Sequence, residues 1–327
     1  MEKMRQTVEQ IIGEEPFKDQ NLKLIGMGAD KIVFETPGST KKIIKISTNF
    51  LSQKIGLLLN EGNETKIDSK TEIDADKYQK DLITEHKNIE RDILEIFGSE
   101  HLLRSGVFKA EVPITKDMIS KLMSNEHYRP MLEKLDDETV YKIKTLAETQ
   151  IIAEELRNKE KFQTKSFNTD LVTEDNFRSA GNVPKALLYI KDFLDSNFLS
   201  EFDENSKDEK YVEIVKEIVT KIIKYTKRTG FMLDIFGPDN ITIFNKEDDS
   251  LGYHLPDVIL PGSQNYWRKN IKDDKNFNLL RHNYTFYYSI KSLADKLGIK
   301  DNLEPEDLNY FKGAGIPTEG EFTIKNE

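Results

Sequence analysis

The chain has no cysteine. Disulfides, thiol nucleophiles and thiolate-bound metals are therefore excluded. Histidine is scarce, with five in 327 residues, and none falls at a metal-ligand spacing, so no zinc site is expected. No apolar run approaches the roughly 18 residues of a membrane-spanning helix. The opening "MEKMRQTVEQ" lacks an apolar h-region. No signal peptide is expected from it, and the expectation is a cytoplasmic protein. Positive charge is in deficit: 48 Lys and Arg against 58 Asp and Glu leave a net charge of −10. That argues against nucleic acid or an anionic membrane as the main partner, while a small anionic ligand stays compatible.

What is present suits a folded protein. A chain of 327 residues exceeds what one core usually holds, so two lobes are expected. The 18 Phe and 12 Tyr argue against wholesale disorder.

Strand signals dominate early and helix signals late. Residues 2–13 read as a short helical appendage. "NLKLIGMGADKIVFETPGSTKKIIKIS" (21–47) reads as three short antiparallel strands joined by glycine-bearing turns. Residues 48–60 look helical, and 60–81 is a polar insertion poor in core residues. In 82–98, Leu82, His86, Ile89, Ile93 and Phe97 form a helical stripe that stops at Gly98. Residues 101–114 read as strand and 115–135 as helix. Residues 138–152 suit a strand or strand pair, with a helix as the alternative. The polar stretch 153–180 reads as a crossing between lobes. Helices are expected over 183–198, 209–228 and 275–297. The clearest is 209–228, whose Val212, Ile214, Val215, Ile218, Val219, Ile222, Ile223 and Tyr225 share one face. The fold class is α+β, with a strand-rich lobe at 21–153 after an extension at 1–20, and a mainly helical lobe at 154–327.

Four places carry candidate chemistry. In "GMGADKIV", Gly26 and Gly28 would let backbone N–H groups approach phosphate oxygens. A hairpin turn with a bulge is the plainer explanation, since two glycines alone are a weak signal. Lys45 in "KIIKIS" shares a strand face with Ile43, opposite Ile44 and Ile46. It can reach phosphates as a point charge, or simply belong to a solvated face. Glu90 lies at the edge of a helical apolar stripe, where it can pair with a lysine or be an ordinary surface acid. In "LDIFGPDNITIF" (233–244) a Gly-Pro turn gathers Asp234, Asp239 and Asn240, and "LPDVILPG" brings Asp257 after a hairpin loop. Oxygen ligands of this kind suit Mg²⁺; turn residues are the alternative, but the Asp…Pro-x-Asn arrangement is more particular than an ordinary turn needs.

In this order the parts resemble the protein-kinase-like superfamily, including its aminoglycoside and choline phosphotransferase relatives. Gly26, Gly28 and Val33 match the Gly-rich pattern, with Lys31 in place of its third glycine. Lys45 matches the phosphate lysine of V-A-I-K, and Ile43 a wall of the adenine pocket. Glu90 matches the helical glutamate, Asp234 and Asn240 the catalytic loop, and Asp257 the metal-binding acid of D-F-G. The sequence also departs from the family. Asp234 stands six residues before Asn240 where the family has five, a spacing that falls on Ile235. Met232 and Leu233 replace His and Arg of H-R-D, and D-F-G becomes Asp257-Val258-Ile259. No A-P-E segment follows.

The resemblance implies a bilobal fold and an ATP- and Mg²⁺-dependent phosphotransferase acting on an unidentified hydroxyl. It implies that Gly26 and Gly28 cover the phosphates, and that Lys45, oriented by Glu90, holds them. It further implies that Asn240 and Asp257 bind Mg²⁺ and that Asp234 acts on the acceptor. A nucleotide-binding pseudokinase serving as scaffold or regulator is the alternative. An interaction protein without nucleotide is the third.

Overall fold

The computed structural model describes residues 23–27, 31–35, 42–47, 51, 55, 84–102, 105–122, 129–133, 135–137, 141–151, 165–167, 172, 175–176, 183–236, 240–256, 258 and 277–314. The expected helix at 2–13 and insertion at 60–81 lie outside them, as do Gly28, Asp239 and Asp257. Of the expected helix at 48–60, Leu51 and Ile55 are described; both are helical and buried. The architecture is α+β, with two small antiparallel sheets and mostly helices after residue 183.

The chain divides into two units: 1–84 with 103–153, and 85–102 with 154–327. The first holds a five-stranded antiparallel sheet ordered β1-β2-β3-β5-β4. Its strands are β1 (Lys23–Met27), β2 (Lys31–Glu35), β3 (Lys42–Ser47), β4 (Ser105–Ile114) and β5 (Tyr141–Ile151). Of the segment 138–152, the described residues 141–151 are a strand and do not adopt the helical alternative. After β4 come α2 (Lys116–Leu122) and α3 (Arg129–Leu132), both within the stretch expected to be helical, 115–135.

The sheet's two faces follow from period-2 alternation. Ile32, Phe34, Ile44 and Ile46 are buried, whereas Val33, Glu35, Ile43 and Lys45 between them are half-buried. One face of these strands therefore packs on a core and the other is more open.

In the second unit, α1 (84–97) turns Glu85, His86, Ile89, Ile93, Ile96 and Phe97 inward. Of the expected stripe, Leu82 lies outside the described residues, and His86, Ile89, Ile93 and Phe97 are buried on one face. The sequence expectation kept this helix with the strands. Here its apolar face joins one hydrophobic core with the later helices.

The spine of this unit is α6 (Glu209–Thr229). Asp208 caps its start, accepting from the N–H groups of Lys210 and Tyr211 at 3.0 and 3.4 Å. Val215, Ile218, Val219, Ile222 and Ile223 are fully inward, while Val212 and Ile214 sit at the edge of the stripe. Losing one such isoleucine to alanine typically costs about 2–5 kcal/mol. α7 (Phe277–Lys296) packs on α6, and α4 (Val183–Ser196) and α5 (Phe198–Asn205) pack on α7 and on each other. The tyrosines and phenylalanine at 284, 286 and 287 are buried, so they serve the core.

Gly230 stops α6 in the left-handed conformation, φ 75°, with its N–H bonded to the Thr226 carbonyl at 2.7 Å. Beyond the loop 231–241 comes a second sheet, ordered β6 (Lys165–Ser166), β7 (Thr242–Asn245) and β8 (Leu251–His254). The two-residue β6 lies inside the stretch expected to be a polar crossing. The chain closes its described part with α8 (Asn309–Ala314).

Candidate functional site

In the first unit the register of the sheet lines up a single row. Gly26 pairs with Val33, Val33 with Lys45, Lys45 with Glu148, and Glu148 with Val107. Residues directly opposite on antiparallel strands share a face. Gly26, Val33 and Lys45 therefore stand together on the more open face, with Ile43 one step along, opposite Glu35 and Gln150. Glu148 was not singled out from the sequence.

Gly26 lies within β1, next to a register slip between Leu24 and Gly26. The bulge expected as the plainer explanation is therefore real. Yet nothing lies within 4 Å of where a Cβ on residue 26 would be, and its φ is not left-handed. Packing and backbone conformation leave a larger residue free to occupy that position.

In the second unit the loop 231–241 runs from Gly230 to β7. Phe231, Met232, Leu233, Ile235 and Ile241 are buried, and Asp234, Phe236 and Asn240 are half-buried. The loop is thus fixed by its apolar residues and presents its polar ones. Met232 and Leu233 fill core space, which accounts for apolar side chains there.

Asn240 donates its Nδ2 to the carbonyls of Asp234, at 3.2 Å, and Phe236, at 2.6 Å. Both amide hydrogens are then directed at the loop, leaving Oδ1 as the acceptor end. The Asp234 Oδ1 accepts from the Phe236 N–H at 3.3 Å. The Asp234 N–H donates to the Val258 carbonyl at 3.0 Å, tying this loop to the segment after β8.

Glu90 is half-buried on α1, between inward Ile89 and Ile93 and outward Arg91. The same helix buries Glu85. Arg228 of α6 reaches Asp92 and Glu95 of α1, at 3.2 and 2.6 Å.

Three further groupings escaped the sequence reading. His101 stacks on Tyr253, with ring centroids 3.8 Å apart, and its Nδ1 lies 2.9 Å from the Tyr253 carbonyl. Lys221 donates to Glu217, Tyr253 Oη and the Phe97 carbonyl at 2.6, 3.0 and 3.0 Å. Burial pushes His101 below its usual range, against the raising effect of the Tyr253 carbonyl. Burial would raise Glu217, yet its bond to the Lys221 ammonium holds it low. Burial, aided by the Glu217 charge, pushes the Tyr253 phenol up. This network rivets α1, α6 and β8 together.

Beside the loop, the His282 ring meets Phe236 edge-on at 6.0 Å. Its Nε2 lies 3.1 Å from the Arg281 Nη2. Burial first, and the Arg281 charge second, push His282 down to about 4.

A groove of about 780 Å³ runs between α6 and the β7–β8 turn, lined by Glu213, Ile214, Glu217, Lys221, Asp249 and Leu251 among others. None of its lining residues belongs to the 231–241 loop. Among the described residues no group of three His, Asp or Glu could hold a metal ion, and no helix is long and apolar enough to cross a membrane.

No family model matches the chain, and no curated protein or solved structure is significantly similar to it.

Proposed function

We propose that the chain binds Mg-ATP and transfers its γ-phosphoryl group to a hydroxyl acceptor, on a protein-kinase-like bilobal fold. The observation that carries this reading is the row on the first sheet. Gly26 and Val33 belong to one stretch of sequence and Lys45 to another, and the strand register places them in one row on the more open face. A lysine on the third strand, with a glycine on the same open face across one intervening strand, suits phosphate binding of this kind.

The second support is the loop after α6. Asn240 ties down Asp234 and Phe236 while keeping Oδ1 as an acceptor, and Asp234 is hydrogen-bonded to Val258. Val258 follows Asp257 by one peptide bond. In this reading Asn240 and Asp257 hold Mg²⁺, and Lys45 holds the α- and β-phosphates. Gly26 and Gly28 line the phosphates, and Ile43 and Val33 flank the base. Asp234 orients the acceptor hydroxyl and takes its proton. A bound Mg²⁺ would supply charge neutralisation at the phosphates. The chain's own contribution is positioning and charge, which is most of what phosphoryl transfer needs.

A second reading, a nucleotide-binding pseudokinase, is favoured by one observation. The spacing the family reserves for its catalytic acid falls on Ile235, which is fully buried. Asp234 in turn spends Oδ1 on the Phe236 N–H. Incubation with γ-labelled ATP, Mg²⁺ and a panel of small alcohols and proteins separates the two. Label on an acceptor supports the transferase. Saturable nucleotide binding without transfer supports the pseudokinase. Neither binding nor transfer sinks both.

A further inference from the structure

We infer that the groove between α6 and the β7–β8 turn docks a lysine- or arginine-bearing segment of a partner protein. The groove, of about 780 Å³, lies wholly within the second unit and takes nothing from the nucleotide reading. Ile214 and Leu251 supply its apolar part, each half-buried against the core. Its rim is charged, with five acids against three lysines. Two of those lysines are spent within the protein. Lys221 serves Glu217, Tyr253 Oη and the Phe97 carbonyl, and Lys210 donates to the Asp249 carbonyl at 2.6 Å. The carboxylates of Glu209, Glu213 and Asp249 have neither an ion pair nor a hydrogen bond among the described residues.

Charge and backbone together say what fits. Glu209 suits the positive start of α6, but Glu213 and Glu217 follow at four-residue steps, and like charges at that spacing repel. An incoming Lys or Arg relieves the repulsion while its apolar stem covers Ile214 and Leu251. Nucleic acid and anionic lipid carry the wrong sign. The strand edge adds a backbone contact. β8 is an outer strand of its sheet. The Lys246 N–H donates to the Ser250 carbonyl at 2.8 Å, so that pair is the hydrogen-bonded kind. Leu251, next along and opposite Asn245, therefore turns its N–H and C=O away from β7. Tyr253, two residues on, does the same, and its carbonyl meets His101. No group among the described residues meets the outward N–H and C=O of Leu251. A short extended segment can bond there and set an apolar side chain beside its basic one.

Selection of displayed random peptides on the full-length chain tests this. Enrichment of peptides with Lys or Arg beside an apolar residue is expected. An enriched peptide is then titrated, at physiological salt, against wild type and two double variants. Glu209→Gln with Glu213→Gln strips the groove. Glu201→Gln with Glu204→Gln removes the same charge from α5, outside it. All four positions are exposed, so the fold is not at risk. The groove variant is expected to bind about tenfold more weakly, and the α5 variant within about twofold of wild type. Equal losses in the two variants reduce the effect to net charge and overturn the inference. Failure to enrich any peptide, or enrichment of peptides without basic residues, also overturns it. Spermidine is titrated in parallel. Spermidine binding lost in the groove variant, with no peptide enriched, assigns the groove to a small polycation and overturns the docking of a protein segment.

Discussion

Asp234 and Val258 are joined by a backbone hydrogen bond of 3.0 Å, donated by the Asp234 N–H. It links the loop after α6 to the segment after β8, two stretches separated in sequence by a hairpin. Asp234 is held by its backbone, so its carboxylate can be changed with the anchor intact. Asp234→Asn is expected to lower the rate of phosphoryl transfer by about 10²–10⁴ with little change in Mg-ATP affinity. Single-turnover transfer measures the first and equilibrium titration the second. An unchanged rate moves the role to Asp239 or removes it.

Asn240 has a structural task and a proposed metal task, and two substitutions separate them. Asn240→Ala removes both, including the donors to Asp234 O and Phe236 O. Asn240→Asp keeps an oxygen for a cation but loses the donors. Each lost bond is worth about 0.5–1.5 kcal/mol. Both variants should therefore melt lower than wild type. Asn240→Asp should retain Mg²⁺-dependent nucleotide binding that Asn240→Ala loses. Equal Mg²⁺ dependence in the two would reduce Asn240 to a clamp.

Two glycines should answer oppositely to alanine. At Gly230 the backbone is left-handed, and an added Cβ would collide with the Asn309 side-chain amide. Asn309 also donates its N–H to the Gly230 carbonyl at 2.8 Å, so it has little freedom to yield. Gly230→Ala should cost at least about 1–2 kcal/mol from conformation alone, with the collision adding to it. At Gly26 an added Cβ meets nothing within 4 Å. Gly26→Ala should leave the melting temperature unchanged within about 0.5 kcal/mol equivalent and weaken Mg-ATP binding. Thermal melts and nucleotide titrations on the pair read both effects.

Stability should fall on mild acidification. His282 has its folded value pushed down to about 4, against about 6.5 in the unfolded chain. As pH drops below 6.5 the unfolded state takes up the proton first and is favoured. Between pH 8 and pH 5 this costs on the order of 2 kcal/mol. His101, also lowered by burial, acts in the same sense. Glu217, held below its usual range, gives up its contribution only as pH falls through the carboxylate range. Urea unfolding at pH 8 and 5 should show the loss, and His282→Gln should flatten most of it. A variant as pH-sensitive as wild type would discharge His282 from the role.

Much of this was legible in the residues. The alternation "KIIKIS" put Lys45 and Ile43 on one face, because strand side chains alternate whatever the partner strand. The α6 stripe and its stop at Gly230 follow from helical period and a left-handed cap. Other features depend on pairings that local pattern does not encode. Glu148 stands opposite Lys45 because β5 pairs with β3 from about a hundred residues away in sequence, and nothing in either strand announces that register. In "TVYKIKTLAETQII" the strand-forming start and the Leu-Ala-Glu middle point different ways, so tertiary pairing decided. The burial of Glu85 runs against its residue type, which favours the surface, so the type gives no sign of it. His101, Glu217, Lys221 and Tyr253 come from three distant segments, and their network is visible only once the core assembles.

The most direct test of the whole is thermal melting of wild type and Lys45→Met across a titration of Mg-ATP. Saturating ligand at about 100 times its dissociation constant should stabilise wild type by about 2.7 kcal/mol. Lys45→Met, at the same concentrations, should show little or none of that shift. A wild-type melting temperature that does not move up to millimolar Mg-ATP, or one that moves equally in both proteins, contradicts the account.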